Sequence, residues 1–261
     1  MAFIQCDFYS KALGVATSMN VILPENIDSD QPDYSLTNNT KYPTLYLLHG
    51  LTGDHTAWMR KSSIDRYVRE LKLAVVMPAA GRSFYTDMEH GYDYFTFITE
   101  ELPYVAESFF PLSSRREDRF IAGLSMGGYG ALKAALSKPE SYYAAASLSG
   151  AVDIKSVTNS LIEQGQVNNL KEFNNIFGDL DDFCGGPNDL YSLASKCSTS
   201  KLKPNIYMSC GTEDFLYQDN LCFKKHLDSL SFDFTYMEGP GDHDWHFWDK
   251  EIQSVLKWLE V

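Results

Sequence analysis

The chain has 261 residues, 44% of them hydrophobic and 14% aromatic, with 22 Lys+Arg against 35 Asp+Glu for a formal net charge of −13. That length and apolar content can bury a large core, and one α/β domain over residues 1–261 accounts for the whole chain. The negative field repels nucleic acid and anionic lipid headgroups, which excludes polyanionic partners and otherwise favours solubility.

The N-terminal MAFIQCDFYSKALG lacks a basic stretch followed by an apolar core and a small-residue cleavage site, and no run of about 18 apolar residues occurs. A soluble, cytoplasmic protein with no membrane partner is expected. The Asn38-Asn39-Thr40 triplet fits a glycosylation sequon, but such triplets are common by chance and no export signal accompanies this one. Five cysteines (Cys6, Cys184, Cys197, Cys210, Cys222) are odd in number and widely spaced, without a CxxC pair, and predict neither a disulfide framework nor a zinc knuckle.

In chain order, SMNVILP (18–24) is strand-like and belongs to an antiparallel N-terminal hairpin. The polar stretch Asn26 to Pro43 follows as a loop. TLYLLHG (44–50) is a strand, SSIDRYVREL (62–71) a helix, LAVVMPA (73–79) a strand, and YFTFITEELPYVAESFF (94–110) a helix carrying an internal proline. DRFIAGL (118–124) is a strand that runs into the helix GYGALKAALS (128–137), and YAAASLSG (143–150) is the next strand. NIYMSCG (205–211), the helix YQDNLCFKKHLDSL (217–230), FDFTYMEG (232–239) and the helix WDKEIQSVLKWLE (248–260) complete the pattern. Most of the strands are almost continuously apolar, as in a parallel sheet buried on both faces, and their alternation with helices specifies an open α/β sheet.

Residues 151–200 interrupt that alternation. After a helix-like VTNSLIEQGQ, the residues Leu170, Phe173, Ile176, Phe177 and Leu180 form an apolar face, expected to be a cap-like insertion over the site or, alternatively, an extension of the core.

Gly123-Leu124-Ser125-Met126-Gly127 matches G-x-S-x-G between a strand and a helix. In that context the glycines permit a sharp reversal, the serine sits in a strained conformation, and its hydroxyl stands above the sheet. The helix N-terminus behind it favours negative charge at the same point. A serine hydroxyl needs a base, and the base a carboxylate to orient it. Downstream, the loop after NIYMSCG carries Glu213 and Asp214, and a Gly-Pro-Gly turn leads to His243. The order Ser, Asp, His is that of α/β-hydrolases. Asp242 and Asp244 flank His243 in sequence and cannot easily turn back to its ring.

Of six histidines, His49 is expected to shape a turn, and His55, His90 and His226 to have surface or packing roles. His246, one helical turn past His243, is the competing base, and a His-Asp-x-His metal pair finds no third ligand of matching spacing. His49-Gly50-Leu51-Thr52-Gly53 makes a turn whose Leu51 amide could join that of Met126 as the oxyanion hole.

LYLLHGLTGDHTAW, IAGLSMGGYGAL, GTEDFLY and GDHDWHFW together resemble the putative-esterase group of α/β-hydrolases, over nearly the whole chain and with spacing most like that of the bacterial tributyrin esterases. That group includes esterase D or S-formylglutathione hydrolase and related acetyl and feruloyl esterases. The resemblance implies an α/β-hydrolase fold, a mostly parallel central sheet with helices on both faces, with Ser125 as nucleophile, His243 as base, Asp214 as orienting acid and the Leu51 and Met126 amides as oxyanion hole. It implies a serine carboxylesterase for short acyl esters, with no cofactor or metal and a small-molecule ester as its partner. S-formylglutathione hydrolysis, acetyl or feruloyl ester cleavage and acyl transfer to an alcohol are alternatives on the same site, and a silent binding module on the same fold is the alternative of another class. The sequence leaves open whether the chain forms a homo-oligomer.

Overall fold

A computed structural model describes residues 1–25, 41–230 and 232–259. The loop expected from Asn26 falls largely outside the described residues, as does the Asn38 sequon. Among the described residues eight strands form one sheet: β1 (Ala2–Ser10), β2 (Val15–Leu23), β3 (Thr44–Leu48), β4 (Ala74–Pro78), β5 (Arg119–Leu124), β6 (Ala144–Leu148), β7 (Asn205–Gly211) and β8 (Phe234–Gly239). Their spatial order is β1-β2-β4-β3-β5-β6-β7-β8. The β1–β2 hairpin and the β2–β4 pair are antiparallel, and every pair from β4 through β3 to β8 is parallel.

Every residue of β3, β4 and β6 is buried, as their unbroken apolar sequences require. Side chains alternate between two cores because successive residues of a strand point to opposite faces. In β3, Tyr46 and Leu48 join one cluster, while Leu45 and Leu47 join the other. The second cluster is closed by α1 (Ala57–Lys61), α2 (Ile64–Tyr67) and α10 (Trp245–Trp258), through Trp58, Ile64, Trp248 and Ile252. On the first face lie α3 (Tyr94–Thr96), α4 (Leu102–Phe109), α5 (Met126–Ser137), α6 (Ile154–Glu163), α7 (Val167–Phe177), α8 (Leu190–Ser198) and α9 (Tyr217–Ser229). No helix among the described residues is long and apolar enough to cross a membrane.

Three elements differ from the sequence expectation. β1 alternates half-buried and exposed positions up to the buried Ser10, and polar Gln5 and Asp7 at exposed positions interrupt its apolar residues. The helix expected over 62–71 is confined to Ile64–Tyr67, and the last helix starts at Trp245, where Asp244 accepts hydrogen bonds from the His246 and Phe247 amides. Pro103 does not break its helix. A π turn at Phe97–Glu101 lets the Leu102 amide bond to Phe97 five residues back, and α4 follows directly. The displaced Glu101 carboxylate then accepts from Ser10 Oγ and from the Lys11 and Ala12 amides, tying this helix to the β1–β2 turn.

Between β6 and β7, α7 buries Phe173, Ile176 and Phe177, whereas Leu170 and Leu180 are half-buried. The Phe173 and Phe177 rings lie 5.1 and 5.5 Å from Phe84, and Phe177 lies 6.2 Å from Tyr129 of α5. The apolar face of α7 is therefore continuous with the core around α5.

Candidate active site

Ser125 is the single residue between β5 and α5, with φ 54° and ψ −118°. A non-glycine residue in that region is strained, and the surrounding backbone must hold it there. Its N–H donates to the Leu148 carbonyl at 2.9 Å, and its own carbonyl accepts from the Tyr129 and Ala151 amides at 3.1 and 3.2 Å. The two motif glycines make the close approach possible. A Cβ on Gly123 would collide with the Gly127 backbone, and one on Gly127 would stand 2.6 Å from the Leu48 carbonyl oxygen. Although Ser125 caps α5 by position, its hydroxyl makes no capping hydrogen bond and is left for another partner.

That partner is His243, whose Nε2 lies 2.9 Å from Ser125 Oγ. Its Nδ1 lies 2.9 Å from Asp214 Oδ2 and 3.1 Å from Oδ1. The Asp214 side chain is fully buried, and the Leu216 amide donates to it at 2.8 Å, so the carboxylate is held on two sides. With Nδ1–H donating to Asp214, Nε2 is left as an acceptor for the serine proton.

Sheet register explains the meeting of two loops 29 residues apart. Parallel pairing sets Gly211 beside Gly239, so the turns that leave β7 and β8 run side by side. The Thr212 amide donates to the Gly239 carbonyl at 2.9 Å and the Glu213 amide to the Gly241 carbonyl at 3.1 Å. Glu213 stitches the same two turns: its carboxylate accepts from the Gly241 amide at 2.6 Å, which holds its pKa below the ordinary value. Asp242 accepts from the main-chain N–H of His243, and Asp244 caps α10. All three carboxylates near the acid position thus have backbone partners of their own.

The Gly50 backbone abuts Ser125, since a Cβ there would stand 3.6 Å from Ser125 Cβ. Leu51 follows on the next peptide, and Met126 is the first residue of α5. Among the described residues neither the Leu51 nor the Met126 amide donates to a protein acceptor. His49 holds this turn in place. It is 1% exposed, burial keeps its pKa low, and its Nδ1 lies 2.7 Å from the Gly50 carbonyl while the Ala80 amide donates to Nε2 at 3.0 Å. A ring with one nitrogen accepting from an amide must donate from the other, so the tautomer is set by its neighbours. Because the peptide is planar, pinning the Gly50 carbonyl also fixes the direction of the Leu51 N–H. Tyr85, absent from the sequence reading, donates its hydroxyl to the His49 carbonyl at 2.8 Å.

Two aromatic neighbours also escaped the sequence reading. The His243 ring lies 4.6 Å from Phe215, which is 73% exposed, and 4.9 Å from Trp248, which meets it edge-on at 90°. Phe215 directly follows Asp214 in sequence, but only the loop geometry turns it over the imidazole.

The remaining histidines lie elsewhere. His246 is exposed on the first turn of α10, His90 is exposed, and His226 Nε2 lies 3.0 Å from the Tyr191 carbonyl. Among the described residues no group of three or more His, Cys, Asp or Glu could hold a metal ion. His243→Ala is expected to lower kcat by at least about 10³-fold, and His246→Ala to leave it within about threefold. In the parent enzyme kcat/KM should fall toward acid pH, because an imidazole that has taken up a proton cannot accept one from serine. Both are read from initial rates on p-nitrophenyl butyrate between pH 5 and 8. A flat profile, or an inactive His246 variant beside an active His243 variant, would move the base.

A family model described as "Putative esterase" matches residues 10–259. An acetyl esterase of Caldicellulosiruptor saccharolyticus is 36% identical over 267 aligned residues, covering 99% of this chain and 98% of that protein. Two solved structures from Staphylococcus aureus, the substrate-bound fluorophosphonate-binding serine hydrolase FphF and the S-formylglutathione hydrolase FrmB, superpose with TM-scores of 0.85 and 0.83. Each is 36% identical, with 99% of this chain and 98% of the other covered. The class defined by the fold and these relatives is the serine esterases of the α/β-hydrolase fold. The chain belongs to the esterase family whose model spans it from residue 10 to residue 259.

Proposed function

We propose that this enzyme hydrolyses short-chain acyl esters through an acyl-enzyme formed on Ser125. The observation that carries the reading is the continuous hydrogen-bonded series from Ser125 Oγ through His243 to buried Asp214. As Oγ attacks the ester carbonyl, Nε2 accepts its proton, and Asp214 stabilises the imidazolium that results. The Leu51 and Met126 amides and the α5 N-terminus stabilise the charge that develops on the carbonyl oxygen. The imidazolium then protonates the departing alcohol. Water then attacks the acyl carbonyl while giving a proton to Nε2, and as the Oγ–acyl bond breaks the imidazolium returns that proton to Oγ, releasing the acid and restoring Ser125. Each step uses only side chains and amides of this chain, and no cofactor is proposed.

The short-acyl assignment rests on residues 151–200 acting as a cap-like insertion within one hydrolase domain. One feature supports it: the segment begins at Ala151, whose amide donates to the Ser125 carbonyl, so its first residue is tied to the serine even though α7 packs its apolar face on the core around α5. Such a cap leaves a short acyl pocket, where a lipase would present an open apolar surface. The partner is then a small ester, with neither nucleic acid nor membrane bound by a chain of net charge −13, and cytoplasmic location is part of the same reading. S-formylglutathione as substrate is the second reading, favoured by the identity to FrmB.

The test is a series of p-nitrophenyl esters of increasing chain length, with S-formylglutathione, tributyrin, acetylated xylan and methyl ferulate alongside. Each added methylene contributes up to about 0.8 kcal/mol of burial until the pocket is full, so log(kcat/KM) should rise and break before about eight carbons. A steady climb through dodecanoyl esters, with activation above the solubility limit, would replace the capped pocket by a lipase surface.

A further inference from the structure

A cavity of about 460 Å³ opens between α5, Asp87 and Phe95 of α3, and α8 with the residues before it, and none of Ser125, Asp214, His243 or Leu51 lines it. Lys133 lies in its wall, eight residues along α5 from Ser125, or roughly 12 Å at 1.5 Å per residue. The side chain is 3% exposed. Its Nζ donates to Asn188 Oδ1 at 2.6 Å and to Thr86 Oγ1 at 2.8 Å, and stands 4.7 Å from the centre of the Phe95 ring. Asn188 and Phe95, two of the groups around the amine, line the same cavity.

An ammonium has three N–H donors, and among the described residues two of them are used here. Among the described residues Lys133 belongs to no ion pair. The carboxylate of the cavity wall, Asp87, is engaged with the Thr96 amide and hydroxyl, both at 2.8 Å. Lys138 and Lys196 also line the cavity; Lys138 pairs with Glu100, and Lys196 is exposed. With Lys138 held by Glu100, two amines, Lys133 and Lys196, remain against the one carboxylate of the wall, in a chain of net charge −13. The rest of the lining is mainly apolar, with Phe95, Leu136, Pro187 and Leu193. A buried cation without a counter-ion is costly, whereas an anion that arrives with an apolar body of its own satisfies both the amine and the wall.

We propose that this cavity is a second ligand site, separate from the serine, which takes a small monocarboxylate with its carboxylate on Lys133 and its apolar body against Phe95, Leu136 and Leu193. Burial presses the Lys133 amine down to about 7, with Asp87 opposing in part. The charged groups facing it are Asp87, Lys138 and Lys196, and the Tyr129 hydroxyl meets the Asn188 carbonyl at 2.6 Å. The bound anion requires the charged amine, so above pH 7 binding takes up a proton and affinity falls about tenfold per pH unit.

The probe is sodium butyrate, titrated calorimetrically into the Ser125→Ala protein, so that the measurement does not depend on Ser125 acting as a nucleophile. One equivalent should bind at pH 7, with affinity about tenfold lower at pH 9 than at pH 8. Lys133→Met should abolish binding at this site. Leu193→Trp, which keeps the amine but fills the apolar half of the cavity, should weaken binding at least tenfold and serves if the lysine variant does not fold. Sodium chloride and n-butanol, which offer charge without body and body without charge, should each compete poorly. Butyrate affinity unchanged in either variant, equal competition by chloride, or affinity independent of pH between 8 and 9 would each overturn the proposal.

Discussion

Ser125→Ala is expected to lower kcat by at least about 10³-fold while leaving the thermal unfolding midpoint within a few degrees of the parent. The hydroxyl is the only group removed. The bonds that hold the elbow are made by the Ser125 main chain, to Leu148, Tyr129 and Ala151, and they survive the change. Because the hydroxyl makes no capping bond to α5, its loss also leaves the helix start intact. Hydrolysis of p-nitrophenyl butyrate and a calorimetric scan on the same preparation check both halves. More than a tenth of parental activity in a clean sample would remove Ser125 as nucleophile, and a large drop in midpoint with little kinetic effect would make it a packing residue. Covalent labelling by a fluorophosphonate, expected for the parent and absent from the variant, gives an independent readout.

Asp214→Asn should cost about 10⁴-fold in kcat, the size known for loss of a triad acid, whereas Glu213→Gln should cost at least tenfold less. An asparagine amide facing Nδ1 would favour the tautomer in which Nε2 carries the proton and can no longer accept one. Glu213 acts on the same loops from the backbone side, through the Gly241 amide and the Thr212 hydroxyl. Glutamine keeps one acceptor oxygen for that purpose, so its variant should show mainly a lower unfolding midpoint. Parallel kinetics of the two variants decide the matter; a greater loss in the Glu213 variant would shift the acid by one residue.

The strands were legible because burial on both faces leaves a direct compositional trace: TLYLLHG and LAVVMPA contain β3 and β4 with little else. β1 was harder, since an edge strand half in water alternates and includes Gln5 and Asp7. Short helices were harder still. Four residues at Ile64–Tyr67 carry too little periodicity to separate from the longer amphipathic pattern around them. The π turn before Pro103 has no compositional trace, because its cause is the fit between Glu101 and the distant β1–β2 turn.

The sequence by itself determined the α/β alternation, the strand-to-helix turn at Ser125, and the order Ser125, Asp214, His243 along the chain, since each of these is read from short segments taken one at a time. Which carboxylate faces the imidazole was a different kind of question. Glu213 and Asp214 are adjacent, Asp242 and Asp244 flank the histidine, and the choice among them follows from the Gly211 to Gly239 register, which spans 28 residues of chain. Tertiary structure alone also placed Phe215 and Trp248 on His243, pinned the Gly50 peptide through His49, and set Lys133 in the wall of a cavity with no ion pair among the described residues. The physical reason is common to all of these: local sequence sets which conformations a segment prefers, but the partners of a side chain are chosen by strand pairing and packing between segments that sequence alone does not bring together.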